Sequence, residues 1–164
     1  MTCAERERGT IVSIHVAKTG GGPMESITSA FVVAGRGLQG DRYHDGTGTY
    51  SNHPGTGREV TLIESEALED LKRDYGIDIA PGQARRNLVT RAVALNHLAG
   101  REFTIGEVRL RGARLCDPCA HLESLSARGV LRGLAHRGGL RADVVSGGTI
   151  RVGDFVIAIP PRPA

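Results

Sequence analysis

The stretch LRADVVSGGTIRVGDFVIAI, residues 140–159, is the clearest indication of the fold, because three short apolar runs follow one another across tight turns. Residues 140–145, 150–152 and 155–159 have the β-branched or alternating pattern of strands. Gly147-Gly148 and Gly153-Asp154 between them are turn signals. This segment therefore predicts three consecutive short strands.

The rest of the chain adds more short strands and a few helices. Further strands are predicted over residues 10–17, 27–34, 59–63, 87–90 and 108–115. Helices are predicted over residues 65–75, which Gly76 ends, over a single turn at 95–98, and over 127–135. Many short strands with glycine-rich turns predict a mainly β protein, a β-barrel or closed sheet decorated with a few short helices.

The sequence of one predicted strand indicates an irregularity near its end. In residues 108–115, the apolar side chains of Val108, Leu110, Ala113 and Leu115 point to the same side only if the register slips at Gly112. We therefore expect a β-bulge at Gly112, which would redirect the end of the strand.

Composition limits the classes of function. The chain has 164 residues, enough for one domain, and its net charge of +3 favours anionic partners only weakly. Few aromatic residues argue against stacking on nucleic-acid bases. There is no apolar run of membrane-spanning length and no signal-peptide pattern, so we expect a cytoplasmic protein with no membrane partner. Three cysteines do not form a disulfide framework, and free thiols are expected.

Two of the three cysteines form the motif Cys116-Asp117-Pro118-Cys119, which follows a predicted strand. Several chemistries fit this spacing: a reactive or metal-binding thiolate at Cys119, a thioredoxin-like redox pair, a structural zinc site, or two buried thiols that simply pack. The start of a helix near Cys119 would favour its thiolate. No second ligand pair completes a zinc pattern, and the redox pair would normally follow an early strand of a βαβ unit.

Three polar segments are candidates for binding an anion. Lys18-Thr19 opens a glycine-rich loop at a strand end, where backbone N–H groups and an ammonium can hold an anion. Asp41-Arg42 lies in a long glycine-rich segment, where the carboxylate can orient the guanidinium. Arg85 and Asn87 combine a fixed charge with an amide that can bind a ring edge. Taken alone, the Lys18-Thr19 segment and the Arg85-Arg86-Asn87 segment are more typical of surface turns, and Asp41-Arg42 is equally compatible with a structural ion pair.

The order of these motifs resembles a stand-alone MOSC domain, the type of domain found at the C-terminus of molybdenum cofactor sulfurases. The motifs that carry the resemblance, between about residue 10 and residue 159, are Lys18-Thr19, Pro23-Met24, Gly37-x-x-Gly40-Asp41-Arg42-Tyr43, Val60-Thr61-Leu62-Ile63, Pro81-Gly82, Asn87-Leu88-Val89-Thr90, Gly100 to Gly106, Pro118-Cys119 and Gly153-Asp154. The resemblance implies a mixed β-barrel of the MOSC or pyruvate-kinase type over residues 10–160, with tails at 1–9 and 161–164.

The resemblance also implies a cofactor and a set of site residues. Cys119 corresponds to the cysteine that ligates molybdenum or carries sulfur in the family. In the amidoxime-reducing branch, the phosphate and pterin of the molybdenum cofactor are held at positions that match Lys18, Thr19, Asp41, Arg42, Arg85 and Asn87. Lys18, Arg42 and Arg85 would neutralise the phosphate, while Thr19, Asp41 and Asn87 would orient it.

The chain also departs from that pattern. Arg86 stands where the reductase branch has proline, and Cys116 is an additional cysteine. The separate N-terminal barrel of those reductases and the aminotransferase-like domain of full sulfurases have no counterpart in this sequence, so pyridoxal phosphate is not expected.

Two leading hypotheses follow from the resemblance. The first is a molybdenum-dependent reductase of N-hydroxylated or N-oxide substrates that takes electrons from a partner protein. The second is a non-catalytic module that carries sulfur or cofactor to a partner enzyme. A thiol-disulfide protein that uses both Cys116 and Cys119 is the third.

Overall fold

The computed structural model describes residues 8–49, 51 and 55–161, which form eleven β-strands, three α-helices and two 3-10 helices. The strands are Arg8–Val16 (β1), Glu25–Ile27 (β2), Ser29–Val33 (β3), Gly37–Leu38 (β4), Val60–Glu64 (β5), Leu88–Arg91 (β6), Glu102–Ile105 (β7), Val108–Leu115 (β8), Leu140–Ser146 (β9), Gly148–Arg151 (β10) and Phe155–Ala158 (β11). The α-helices are Ser65–Tyr75 (α1), Ala120–Leu125 (α2) and Val130–Gly133 (α3), and the 3-10 helices are Pro81–Ala84 (η1) and Leu95–Leu98 (η2).

Seven of the described strands close into a barrel. Their order is β1, β11, β7, β8, β9, β5 and β6, and β6 pairs with β1 to complete the circle. Neighbouring strands are antiparallel except for β5 and β6, which are parallel, so the barrel is mixed. β2 extends the sheet from β1, and β10, β3 and β4 form a second small sheet. The predicted mixed β-barrel with a few short helices is confirmed.

The parallel pair needs a crossover connection, and α1 supplies it. The helix follows β5 directly and ends at Gly76, whose left-handed backbone lets its N–H donate to the carbonyl of Lys72 at 3.0 Å. Ala67 and Leu71 form its buried face. The helix predicted over residues 65–75 is confirmed at both ends.

Two apolar clusters stabilise the fold. The larger fills the barrel interior, with side chains such as Ile14, Leu62, Phe103 and Leu110 fully buried. The smaller lies outside the barrel wall, where the outward side chains of β5 and β6 meet the helices. Its buried members are Ile63, Ala67, Leu71, Ile79, Ala84, Val89, Leu122, Val130 and Leu134. The second cluster holds α2 against the barrel, and this fixes the segment that begins with Cys119.

The predicted strand over residues 27–34 is wrong in one respect, because it is two strands in two different sheets. β2 pairs with β1 up to Ile27, and β3 begins at Ser29 and pairs with β10 and β4. Between them, the carbonyl of Thr28 accepts a hydrogen bond from the N–H of Val152 at 3.0 Å. The apolar pattern continues across this break, so the change of partner has no local signal.

The predicted β-bulge in β8 is confirmed, and its cause is a close approach of two backbones. The pairing of β8 with β9 shifts between Gly112 and Arg114. A Cβ atom at Gly112 would lie 2.0 Å from the carbonyl oxygen of Leu98, so only glycine fits. The inward positions are Val108, Leu110 and Gly112, whereas Leu115 is exposed, contrary to the expected alternation.

The helices are shorter than expected in the C-terminal third. Helical spacing predicts residues 127–135, but α3 covers Val130–Gly133 and follows Gly129, whose φ is 94°. At Gly133, a Cβ atom would lie 2.2 Å from a methyl carbon of Leu71, so this helix packs closely on α1. No helix within the described ranges is long and apolar enough to cross a membrane.

A pair of carboxyl groups joins two loops to β9. Glu59 Oε1 accepts hydrogen bonds from the N–H of Gly35 at 2.8 Å and of Val144 at 3.3 Å, and Asp143 Oδ1 accepts one from Gly57 at 2.7 Å. Burial, followed by a hydrogen bond and repulsion from Asp143, raises the pKa of Glu59 to about 7. Between about pH 4.5 and pH 7, Glu59 therefore holds a proton that an exposed glutamate would lose.

This raised pKa predicts a pH dependence of stability. The unfolded chain loses the proton of Glu59 near its ordinary pKa of 4.5, whereas the folded chain keeps it until about pH 7. The contribution of Glu59 to stability is therefore complete below pH 4.5 and is lost as the pH rises to 7. Glu59→Gln should flatten this part of the curve in urea unfolding at pH 5 and pH 8, and the exposed control Glu25→Gln should not. Parallel curves for Glu59→Gln and the parent protein would contradict the assignment.

Candidate functional site

The Cys116–Cys119 segment connects β8 to α2, and the two cysteines lie in different surroundings. Cys116 is 1% exposed, and its N–H donates to the carbonyl of Gly139 at 2.7 Å. Cys119 is half-buried against the second apolar cluster, and it is the N-cap residue of α2. Its carbonyl accepts a hydrogen bond from Glu123 N–H at 3.1 Å. Both thiols are free.

Cys119 lies in a small cleft of about 60 Å³ whose wall is strongly basic. Polar and charged residues from five different parts of the chain line it: Arg42, Tyr43, Thr49, Thr61, Arg85, Arg86, Asp117, Cys119, His121, Leu122 and Arg141. Four arginines face one carboxylate in this set. A concave wall with such an excess of guanidinium groups is suited to an anion.

Arg42 is held in this wall by its neighbour Asp41. Asp41 is fully buried, and its Oδ1 accepts hydrogen bonds from Arg42 Nη1 at 3.0 Å and from Ala17 N–H at 3.1 Å. Its Oδ2 accepts one from Tyr43 N–H at 3.2 Å. Arg42 N–H in turn donates to the carbonyl of Ala17 at 2.6 Å. Asp41 therefore lies behind the cleft, where it orients Arg42 and joins two loops.

Arg85 combines one hydrogen-bonded donor with one buried donor that has no partner among the described residues. Its Nη1 donates to the carbonyl of Gly22 at 2.6 Å, which ties the glycine-rich loop to η1. Its Nη2 is buried without a hydrogen-bond partner among the described residues. Burial, and after it the charge of Arg42, lowers the pKa of Arg85. A bound anion would relieve both effects.

Arg86 faces the same cleft but uses its donors on the backbone. It is 7% exposed, and its Nε donates to the carbonyl of Gly138 at 2.9 Å. Nη1 and Nη2 make longer contacts of 3.4 Å with the carbonyls of Ala84 and Cys116. Arg86 therefore connects η1 with the start of the cysteine segment, at Cys116, and with the loop at Gly138.

Asn87 also lies behind the wall rather than in it. Its Oδ1 accepts hydrogen bonds from Thr61 N–H at 3.1 Å and from Thr61 Oγ1 at 3.3 Å, and its Nδ2 donates to the carbonyl of His15 at 3.1 Å. Asn87 therefore fixes Thr61, which does line the cleft, and connects β1, β5 and β6 at that point.

Lys18 and Thr19 lie on the exposed loop beyond this wall. The Lys18 side chain is 81% exposed and forms an ion pair with Glu25 at 3.8 Å. Neither residue lines the cleft. Their loop contacts its edge, because Thr47 Oγ1 donates to the carbonyl of Lys18 at 3.2 Å and Gly20 N–H donates to the carbonyl of Thr47 at 3.0 Å.

The structure thus brings the sequence-predicted residues together to different degrees. Cys119, Arg42 and Arg85 share one cleft, Asp41 and Asn87 support it from behind, and Lys18 and Thr19 stay outside. Sequence reasoning did not single out several members of the wall, which are Tyr43, Thr49, Thr61, His121 and Arg141. Arg141 and Thr61 meet because β9 pairs with β5 in that register, which no local pattern indicates.

The described residues do not form a metal site of protein ligands alone. No group of three or more His, Cys, Asp or Glu side chains within the described ranges is placed to hold an ion. The structural zinc alternative for the two cysteines therefore lacks its other ligands in this part of the chain.

Comparison with known proteins identifies the family. The sequence matches the MOSC domain family over residues 49–157, more than half of the chain. The chain belongs to the MOSC family. This confirms the resemblance seen in the motifs and places the protein in a family associated with molybdenum cofactor binding and sulfur transfer. No curated protein matches the MOSC chain significantly.

Solved structures show the same MOSC fold at low sequence identity. The YuaD protein of Bacillus subtilis is 15% identical, with a TM-score of 0.75 over 94% of this chain and 97% of YuaD. YiiM of Geobacillus stearothermophilus is 16% identical, with a TM-score of 0.71 over 93% of this chain and 75% of YiiM. YiiM of Escherichia coli is 15% identical, with a TM-score of 0.68 over 96% and 72%.

Proposed function

We propose that this MOSC domain binds the molybdenum cofactor beside the arginine-lined cleft, with the Cys119 thiolate as the protein ligand to molybdenum and the arginines of the cleft as donors to the cofactor's phosphate. The observation that supports this best is Arg85 Nη2, a buried donor without a partner in a wall that also contains Arg42 and the Cys119 thiol. A buried unsatisfied donor is costly unless a ligand accepts from it. Guanidinium groups match the geometry of phosphate oxygens and can bind them in a bidentate manner.

The residues present fit this cofactor in their donor set. The cofactor supplies its own dithiolene sulfurs, so a single protein thiolate is enough, and Cys119 is a free, half-buried thiol. Its phosphate needs positively charged donors, which Arg42, Arg85 and Arg141 supply at the wall. When bound, the cofactor would supply the metal centre for a two-electron reduction of an N-hydroxylated or N-oxide substrate, with electrons from a partner protein.

The chain's own groups have distinct roles in this proposal. Arg42 and Arg85 neutralise the phosphate, and Asp41 keeps the Arg42 guanidinium in place. Asn87 fixes Thr61, which lines the cleft. Lys18 and Thr19 reach the phosphate from the loop above the wall if the loop folds over a bound ligand. A cytoplasmic location is part of the proposal, since it keeps the free thiols reduced.

A second candidate function is sulfur transfer without a resident cofactor. The cleft of about 60 Å³ has room for a persulfide on Cys119, and its arginines would stabilise the persulfide anion. The Cys119 thiolate would then attack the outer sulfur of a donor protein's persulfide and release the donor's thiolate, and an acceptor thiolate would take that sulfur in the same way and regenerate the Cys119 thiolate. Persulfide on Cys119 in protein that holds no pterin would favour this function.

Cofactor retention tests the proposal through the arginines. Protein produced in a host that makes the molybdenum cofactor should retain pterin, measured as its fluorescent oxidation product. Arg85→Met should lower the retained pterin at least about tenfold, because the change removes the unpartnered Nη2 donor and a charge-assisted hydrogen bond contributes about 1.5–3 kcal/mol. Arg128→Met, a change at an exposed arginine outside the cleft, should leave it unchanged. Equal pterin in both variants would refute the cleft as the cofactor site.

A further inference from the structure

A second and larger cleft lies on the other side of Arg85. Its volume is about 450 Å³, and it is lined by residues from β1, β2, η1, α2 and the glycine-rich loop: His15, Pro23, Met24, Ser26, Ala80, Pro81, Gly82, Gln83, Arg85 and Leu125. Arg85 lines both clefts, so the two clefts adjoin at this residue.

The larger cleft has apolar walls and one fixed charge. Pro23, Met24, Pro81 and Leu125 are among its apolar lining residues, and Arg85 is the charged group. His15 is 5% exposed, and its Nε2 is hydrogen-bonded to Ser13 Oγ at 2.8 Å. Burial lowers the pKa of His15, so its imidazole is neutral near pH 7. The cleft therefore suits a largely apolar body with an anionic group at one end.

The two clefts differ in what they can hold. A volume of about 60 Å³ corresponds to a small inorganic group. A volume of about 450 Å³ lies within the range of roughly 300–1,000 Å³ that small-molecule sites occupy. A ligand whose anionic group lies at Arg85 has room for its organic part on the side of His15 and Met24.

We propose that the larger cleft binds the organic body of a phosphate ester whose phosphate lies at Arg85. This inference rests on the proposed function for the anion site at Arg85, but it requires neither molybdenum nor Cys119. It assigns the residues around Gly82 to recognition of the ligand's apolar part, and the arginine wall to recognition of its phosphate.

The test compares two probes that share a phosphate, inorganic phosphate and 1-naphthyl phosphate, by isothermal titration calorimetry on the full chain. Inorganic phosphate should bind weakly through the arginines alone. 1-Naphthyl phosphate should bind at least about tenfold more tightly, because its ring system is removed from water in the larger cleft. Equal affinity of the two probes would overturn the inference about the larger cleft, but binding of both would still support the anion site at Arg85.

Variants that fill the larger cleft should remove the additional affinity for 1-naphthyl phosphate without changing the affinity for inorganic phosphate. A Cβ atom at Gly82 would lie 3.3 Å from His15 Nδ1 and 3.6 Å from Met24 Cβ, so Gly82→Leu places its side chain in the cleft. The affinity for 1-naphthyl phosphate should then fall to within about twofold of that for inorganic phosphate, whose own binding should stay unchanged. Gly55→Leu is the matched control, since a Cβ atom there meets nothing within 4 Å.

A second variant keeps the test decisive if Gly82→Leu fails to fold. Leu125→Trp enlarges a half-buried side chain on α2 that lines the same cleft, and it should have the same selective effect. If 1-naphthyl phosphate binds both variants as tightly as the parent protein, the larger cleft is not the site of the organic body. If neither probe binds the parent protein, the anion site at Arg85 is itself refuted, and this inference with it.

Discussion

Asp41→Ala is expected to lower the free energy of unfolding by about 3–5 kcal/mol, the cost of removing one partner of a buried ion pair. The side chains of Asp41 and Arg42 are 1% and 8% exposed, so the guanidinium would keep its charge in a site with little water. The N–H groups of Ala17 and Tyr43 would lose their acceptor as well. Urea unfolding monitored by circular dichroism measures the change.

Two controls separate the charge from the hydrogen bonds. Asp41→Asn keeps an oxygen that can accept from Ala17 but removes the negative charge, and it should cost less than Asp41→Ala. Asp78→Ala breaks an exposed ion pair with Lys72 and should cost less than about 1 kcal/mol. A loss for Asp41→Ala as small as that for Asp78→Ala would mean that Asp41 does not organise this part of the site.

Arg86→Met is expected to cost about 2–4 kcal/mol and to loosen the cysteine segment. The change removes one short hydrogen bond, to Gly138, and two longer ones, to Ala84 and Cys116, and it leaves these buried carbonyls without that donor. Because the Cys116 carbonyl is one of the three, the buried thiol of Cys116 should react faster with Ellman's reagent under native conditions. A Cys3→Ser background limits the signal to Cys116 and Cys119.

The control for Arg86 is an arginine that also donates to a backbone carbonyl but does so at the surface. Arg114 Nη1 donates to the carbonyl of Thr56 at 2.7 Å, and this side chain is exposed. Arg114→Met should cost less than about 1 kcal/mol and leave Cys116 protected. If the reactivity of Cys116 is the same in Arg86→Met and in the parent protein, Arg86 does not hold the segment.

Arg86 also shows how a departure from a family pattern can be informative. The reductase branch that the sequence resembles has proline at this position, and proline has no donor to offer. In this chain the arginine reaches the carbonyls on both sides of the cysteine segment. The position therefore has a structural role that comparison with that branch could not have indicated.

Much of the fold was predictable because its signals are local. The length and end of α1 follow from helical spacing and from Gly76, and the bulge in β8 follows from the position of Gly112 in an alternating run. The closure of the barrel was less accessible, because it depends on pairing between β1 and β11 at opposite ends of the chain. β7 alternates buried Phe103 and Ile105 with polar residues over only four positions, and it was not predicted as a strand, although it is the partner of both β8 and β11.

The site residues were predictable where residue type and motif order agree, but not where the register of strand pairing brings residues together. Arg42, Arg85 and Cys119 were proposed from residue type and motif order, and they share the cleft. Thr61 and Arg141 lie opposite each other on β5 and β9, and only the strand pairing brings them to that wall. The difference between a buried Cys116 and a half-buried Cys119 likewise depends on tertiary contacts rather than on their spacing.

The central claim is that Cys119 in the arginine-lined cleft holds molybdenum, and the molybdenum content of purified protein tests it most directly. Protein from a host that makes the cofactor should contain molybdenum and pterin in equal amounts, measured by inductively coupled plasma mass spectrometry and pterin fluorescence. The molybdenum content of Cys119→Ala should be at least about tenfold lower than that of the parent protein, and the molybdenum content of Cys116→Ala should be unchanged. Equal molybdenum in Cys119→Ala and the parent protein would contradict the account.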